Sequence, residues 1–328
     1  MVKTAARGGR HRTKTWYGEH ITAVRCAAVV LCLATLVVVV RHTKTPEPAA
    51  SGGPPPVQAV RYLGVFEPDA PRSYAKIERF AQTVGRHPNL VMYYSGWFEP
   101  FHKAFAEKAA QHGATTIVEI NPHRISLARI ASGAYDSYLT SFADSVAAFG
   151  HNVVISFGHE MNGFWYPWGY KHVPPATFVA AWRHIVTVFR QRGATNVTWL
   201  WQVNSASPKT GPVRDWWPGS RYVTWVGVSG YYFMPHETFD YIFKPVVADI
   251  RRFTRDPILI AETAVGHFPN QASKINELFT GIRSQHYLGL VWFDRNKASD
   301  GIYKGGNWRL EGNPVGISAF RTALGTTR

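Results

Sequence analysis

VVISFGHEMNG (153–163) and PILIAETAVG (257–266) decide the fold. Each opens on a short, nearly continuous apolar run, the pattern of a strand covered on both faces in a parallel sheet. Each run then breaks into a glutamate, Glu160 in the first and Glu262 in the second. The two glutamates are 102 residues apart, three spacings of 34, so three strand–helix units separate them. Working outward, β-rich runs recur at 60–66, 90–97, 115–121, 152–158, 196–203, 223–232, 257–261 and 288–293. Helical patterns fill the gaps at 74–85, 102–112, 135–149, 177–192, 239–253 and 273–283. Eight strands alternating with helices in about 270 residues match a (β/α)8 TIM barrel. An open doubly wound sheet is the alternative. It would carry a glycine fingerprint after its first strand, and Gly64-Val65-Phe66-Glu67-Pro68 is not one.

In a barrel the chemistry sits where strands end. Strands 4 and 7 lie across the mouth from one another, so Glu160 and Glu262 face each other over it. A single glutamate at a strand end reads first as a helix cap or ion-pair member. Two at matching ends, with aromatic residues beside them, form the arrangement that glycoside hydrolysis needs. His159-Glu160 opens like a zinc-protease HExxH, but position 163 is Gly and the segment ends a strand, so no metal is implied. No GxSxG elbow or Walker loop occurs, and no cofactor is required. Of the 12 tryptophans, Trp165 and Trp292 read as sugar platforms, because sugars pack their C–H faces on aromatic rings. Trp97 and Trp168 divide evenly between lining and core, and Trp182, Trp199, Trp201 and Trp225 read as packing.

The chain's 328 residues carry 36 Lys and Arg against 21 Asp and Glu, a formal +15. Residues 1–25 hold six of the basic residues and one acid, and this dense cluster precedes an apolar run rather than forming a nucleic-acid-binding arm. Residues 21–40 are long enough to span a bilayer, with a single charge, Arg25, near one end. The upstream positive charge sets the N-terminus inside. The expected organisation is a basic cytoplasmic tail (1–20), a transmembrane or signal-anchor helix (21–40), a Pro/Gly-rich linker (41–58) and the barrel (59–328) outside a cell membrane. The alternative is secretion after signal-peptide cleavage, although no small-x-small site follows the run. Both cysteines, Cys26 and Cys32, lie in the apolar segment, so the barrel has no thiols.

The motifs SFGHEMNGFWYPWG (156–169), IASGAYDSYLTSFADSVAAFG (130–150), WPGSRYVTWVGVSGYY (217–232), LIAETAVG (259–266) and VWFDRNKASD (291–300) together resemble glycoside hydrolase family 26. That family comprises β-mannanases with some β-1,3-xylanases and mixed-linkage glucanases. The resemblance spans nearly the whole barrel in order. It implies a retaining endo-β-glycanase, with β-1,4-mannan as the expected substrate and β-1,3/1,4-glucan or β-1,3-xylan as alternatives. Glu160 would be the general acid/base and Glu262 the nucleophile, with His159, Asn162, Trp165, Tyr231 and Trp292 as the substrate-binding group, Asn162 by supporting the acid/base loop. Tyr231 would orient Glu262. Ser156 stands where many members have Arg, and Asn121 where a Glu-Pro pair is common. The partners expected are a polysaccharide and the membrane, without nucleic acid, on a monomeric chain. From other classes, a non-catalytic carbohydrate-binding barrel and a domain remodelling an anionic surface polymer are the competing readings.

Overall fold

Residues 60–296 and 306–326 are described by the computed structural model of the chain. The basic tail, the anchor helix at 21–40 and the linker expected from the sequence lie outside these residues. Among the described residues no helix is long and apolar enough to cross a membrane. Eight parallel strands close into a barrel in chain order: β1 (Tyr62–Phe66), β2 (Leu90–Gly96), β3 (Thr115–Asn121), β4 (Val153–Phe157), β5 (Val197–Asn204), β6 (Trp225–Ser229), β7 (Ile258–Thr263) and β8 (Gly289–Phe293). Closure is made by β1, which pairs with β2 on one side and with β8 on the other. The eight-strand barrel read from the sequence is therefore the observed one, with strand ends shifted by a few residues.

The sixth run is the instructive difference. It reads as a strand to Tyr232, but β6 stops at Ser229, and its register against β7 shifts between Gly227 and Ser229. Gly230 follows, where a Cβ would meet Ile242 Cγ2 at 2.6 Å, so only glycine lets the chain pass this close to the helix behind it. Tyr231 thereby leaves the sheet and lines the mouth.

The helices are α1 (Ala75–Val84), α2 (Lys103–Gln111), α3 (Leu127–Ala131), α4 (Asp136–Phe149), α5 (Pro175–Gln191), α6 (Phe239–Ile250), α7 (Gln271–Ser284) and α8 (Pro314–Leu324). Pro at N1 starts α5, where a missing N–H costs nothing. Its buried face, Phe178, Ala181, Trp182, Ile185, Val186 and Phe189, follows the helical period and packs on the barrel. Trp182 donates Nε1–H to Tyr222 O at 3.0 Å and lies 6.3 Å from the Trp199 ring. Trp199 and Trp201 are buried as expected, and half-buried Trp225 packs on Tyr62 at 5.0 Å. Trp182→Ala should cost about 3–5 kcal/mol in urea unfolding, the usual loss for a large buried aromatic. A loss under about 1 kcal/mol would show that this seam does not carry the packing assigned to it.

Candidate active site

A cleft of about 560 Å3 opens at the strand ends and contains Glu160 and Glu262 in its wall. Both side chains are buried despite being acidic. Glu160 reaches this position through an unusual backbone. The apolar run of β4 ends at Phe157, after which Gly158 has φ 56° and Glu160 φ 54°. A left-handed non-glycine residue costs on the order of 1–3 kcal/mol and persists only where neighbours fix it. Here Glu160 N donates to Gln202 O at 2.8 Å, and Glu160 O accepts from Gly163 N at 2.8 Å. Glu262, by contrast, lies within strand β7, where the pairing with both β6 and β8 shifts register.

Strand β5 holds both carboxyls. Gln202 Nε2 donates to Glu262 Oε1 at 3.0 Å and to Ser229 Oγ at 2.9 Å. Two residues on, Asn204 Nδ2 donates to Glu160 Oε1 at 2.7 Å. Alternation along a strand puts residues i and i+2 on the same face, so one strand presents one donor to each acid. The remaining oxygens are bound from the cleft walls. Trp165 Nε1 donates to Glu160 Oε2 at 2.8 Å, and Tyr231 Oη donates to Glu262 Oε2 at 2.7 Å.

Burial, and then the charge of Glu262, push the Glu160 carboxyl up to about 7, against the lowering effect of its bonds to Asn204, Trp165 and Ser229. Glu160 can therefore hold a proton near neutrality. Below it in the barrel, Glu119 is fully buried opposite Ser156 of β4. Burial first, and Glu262 next, push its carboxyl well above the usual range, which favours the neutral acid.

His159 lies in the same layer. Its Nδ1 is 3.0 Å from Asn121 Oδ1, which can only accept, and 3.6 Å from Glu119 Oε2, while Nε2 is 3.0 Å from the Tyr166 hydroxyl. Tyr166 stacks on Trp168 at 4.4 Å, and Trp168 donates to His159 O at 2.9 Å. Trp168 is thus a buried support for His159, and Trp97 is likewise buried, against Tyr138. Trp165 keeps 37% of its surface exposed on the cleft wall.

Two expected sugar contacts need correction. Trp292 is fully buried, packs edge-on to Phe320 of α8 at 5.2 Å, and donates Nε1–H to Trp308 O at 3.0 Å. On β8 it points to the helices because successive side chains alternate, and its neighbour Phe293 is the one in the cleft wall. Asn162 is also buried and away from the cleft. Its Nδ2 donates to Asn204 O at 2.9 Å and its Oδ1 accepts from Asn204 N at 2.8 Å, so its amide is used in fixing the residue that holds Glu160.

Among the wall residues that escaped the sequence reading are Tyr94, Tyr166, Asn204, Phe293 and Trp308. Asn204 and Gln202 did leave a signal, two amides spaced by two at the end of the apolar run WLWQVN. Trp308 left none, since it arrives from the segment after β8 and stacks on Tyr231 at 4.7 Å. The outer rim carries Phe233, Tyr241 and Lys209.

A family model described as glycosyl hydrolase family 26 matches residues 126–300. Endoglucanase H of Acetivibrio thermocellus is 30% identical over 270 residues, covering 77% of this chain and 29% of that protein. A β-1,3-xylanase of a Vibrio species is 30% identical over 110 residues, covering 33% of this chain and 22% of the xylanase. The chain thus spans less than a third of the length of either relative. Among solved structures, a Bacillus subtilis mannanase superposes with a TM-score of 0.57 at 16% identity, covering 77% of this chain and 87% of that one. At that identity the likeness is one of fold.

The charge coupling in the cleft is testable on the protein alone. Followed by NMR of carbon-13-labelled glutamate, the Glu160 carboxyl should titrate near 7 and move down in Glu262→Gln, where the neighbouring charge is gone. It should move up in Trp165→Phe, which removes a donor to the carboxylate. An unchanged titration in both variants would refute the coupling.

Proposed function

The chain belongs to glycosyl hydrolase family 26, and on that premise we propose that it is a retaining, endo-acting β-glycanase working through a glycosyl-enzyme on Glu262. The observation that carries this reading is the unequal treatment of two carboxyls in one cleft. Glu160 is buried and raised to about 7, while Glu262 is oriented by Tyr231 and Gln202. In the first step Glu262 attacks the anomeric carbon as Glu160 gives its proton to the departing glycosidic oxygen. Forming the ester removes the charge on Glu262 that raised Glu160. Glu160 then ionises and, as base, takes a proton from the water that hydrolyses the ester. Trp165, bonded to Glu160 and open to the cleft, receives the sugar on the leaving-group side. His159, Phe293 and Trp308 surround the sugar under attack. An open cleft with an aromatic rim suits attack within a chain rather than at its end.

The family resemblance carries β-1,4-mannan as the first candidate substrate. A second candidate, a β-1,4-linked or mixed-linkage glucan, is favoured by one observation: the relative matched across most of the barrel is named an endoglucanase. The mannanase likeness above, at 16% identity, bears on fold. For the remainder of the chain, we propose that residues 21–40 anchor it in the cell membrane, with 41–58 as tether and the barrel outside. Membrane fractionation followed by protease shaving of intact cells tests that topology: the barrel should sediment with the membranes and be released by the protease, whereas a barrel already soluble before proteolysis, or one shielded from it, would oppose it.

The activity test is reducing-sugar release from mannan, mixed-linkage glucan, cellulose and β-1,3-xylan. The wild type should hydrolyse at least one of them, and Glu262→Ala should lose about three or more orders of magnitude in kcat. If neither protein hydrolysed any glycan while both bound one, the barrel would be a carbohydrate receptor instead.

A further inference from the structure

A second group of buried acids lies outside the cleft, and the reaction above does not use it. Glu67, just after β1, and Asp294, just after β8, are both about 3% exposed and share the wall of a cavity of about 10 Å3. The two carboxyls face this same small space, and Glu67 Oε2 is buried with no hydrogen-bond partner among the described residues. Asp294 is fixed by both backbone and side chain. Its N–H donates to Phe66 O at 3.0 Å, and its Oδ1 accepts from Leu310 N at 2.7 Å.

Leu310 belongs to the segment that returns from β8 and carries Trp308. That segment is tied to its surroundings by several contacts: Asn307 bridges to Asn296, Trp308 N donates to Arg295 O, Trp292 Nε1 donates to Trp308 O, Arg309 O lies 3.0 Å from His267 Nε2, Glu311 pairs with Arg79, and Leu310 N meets Asp294. Of these, the Asp294 bond is the one made to a buried carboxyl. Trp308 in turn stacks on Tyr231, whose hydroxyl orients Glu262.

We propose that the Glu67–Asp294 pair is a positioning device for the cleft, holding Trp308 against Tyr231 and so setting the aim of Glu262. The inference rests on the glycanase reading for its catalytic consequence, but its structural half does not. Two adjacent buried carboxyls can persist only if one keeps a proton. Burial, then Asp294, push Glu67 up to about 9, so Glu67 is the partner that keeps it and donates to Asp294. The charged groups facing the pair are Lys76 and Arg79 of α1 and Arg309 and Glu311 of the return segment. Arg79 and Arg309 both pair with Glu311, and Lys76 pairs with Asp69. Loss of the Glu67 proton sets two carboxylates against each other and frees Asp294 from Leu310. The sign follows: the device is intact below about pH 9 and opens above it.

Two measurements on the full chain test this. The first is hydrogen-exchange protection of the Leu310 amide against pH, corrected for intrinsic exchange. Protection should fall through about pH 9 in the wild type and stay level in Glu67→Gln, whose amide donates to Asp294 at every pH. Equal pH dependence in the two proteins, or none in the wild type, overturns the proposal. The second is kcat/KM on an activated aryl β-glycoside, whose phenolate leaves without a proton and so removes the Glu160 limb from the profile. A fall above about pH 9 should be present in wild type and absent in Glu67→Gln. Asp294→Ala should lower kcat/KM roughly 10- to 100-fold, the scale of an ångström-level misplacement. Its effect should not add to that of Trp308→Ala, whereas full additivity would place Asp294 outside the path to Trp308. A wild type inactive on every glycoside would sink the glycanase reading and leave the exchange result to stand or fall separately.

Discussion

Two buried carboxyl groups in one barrel mouth cannot both be charged without a large electrostatic cost, and the upper barrel is built around that constraint. Glu160 and Glu262 are buried within reach of each other's field, with Glu119 in the layer beneath. The chain manages three acids in different ways. Glu262 receives donors from Tyr231 and Gln202, Glu160 is left poised near neutrality, and Glu119 is favoured as the neutral acid. Ser156 fits this scheme. A small neutral side chain stands opposite Glu119, and the buried acid is neutralised by a proton. The aiming of these groups depends on β5, whose Gln202 and Asn204 grip one of the two cleft carboxyls each. Asn162 locks the backbone of Asn204 in turn.

Much of this architecture is legible in the chain because parallel barrel strands are apolar on both faces and announce their ends by a change of residue type. The runs VVISF and ILIA break at Glu160 and Glu262, and both glutamates line the same cleft. Tyr231 also falls near a strand end, whereas His159 comes from the family resemblance, and both line the cleft. What the sequence conceals is direction. Trp292 and Phe293 are adjacent on β8, and only their alternation decides that the tryptophan packs on α8 while the phenylalanine meets the cleft. Asn162 sits in the right motif, but its amide is spent on backbone at the end of the next strand, 42 residues on, a pairing that no local pattern encodes.

Trp308 shows the other limit. It returns to the mouth from the segment after β8, and its neighbours Tyr231, Phe233 and Phe293 come from distant parts of the chain. Trp292 and Trp308 are nonetheless one unit, joined by the indole N–H of the first and the carbonyl of the second. A tryptophan expected as a platform is thus a strut for the tryptophan that lines the cleft. The aromatic excess is divided in this way throughout: a few rings face the opening, and a larger set, Trp168, Trp182, Trp201 and Trp216 among them, is buried behind it.

The central claim is that Glu262 forms a covalent bond to the sugar while Glu160 serves the proton. Its most direct test is trapping with an activated 2-deoxy-2-fluoro β-glycoside, which slows the second step and lets the ester accumulate. Mass spectrometry of the digested protein should find one added fluoro-sugar, on the peptide containing Glu262. Turnover of the natural substrate without any trapped ester, or a label on Glu160, would contradict the account.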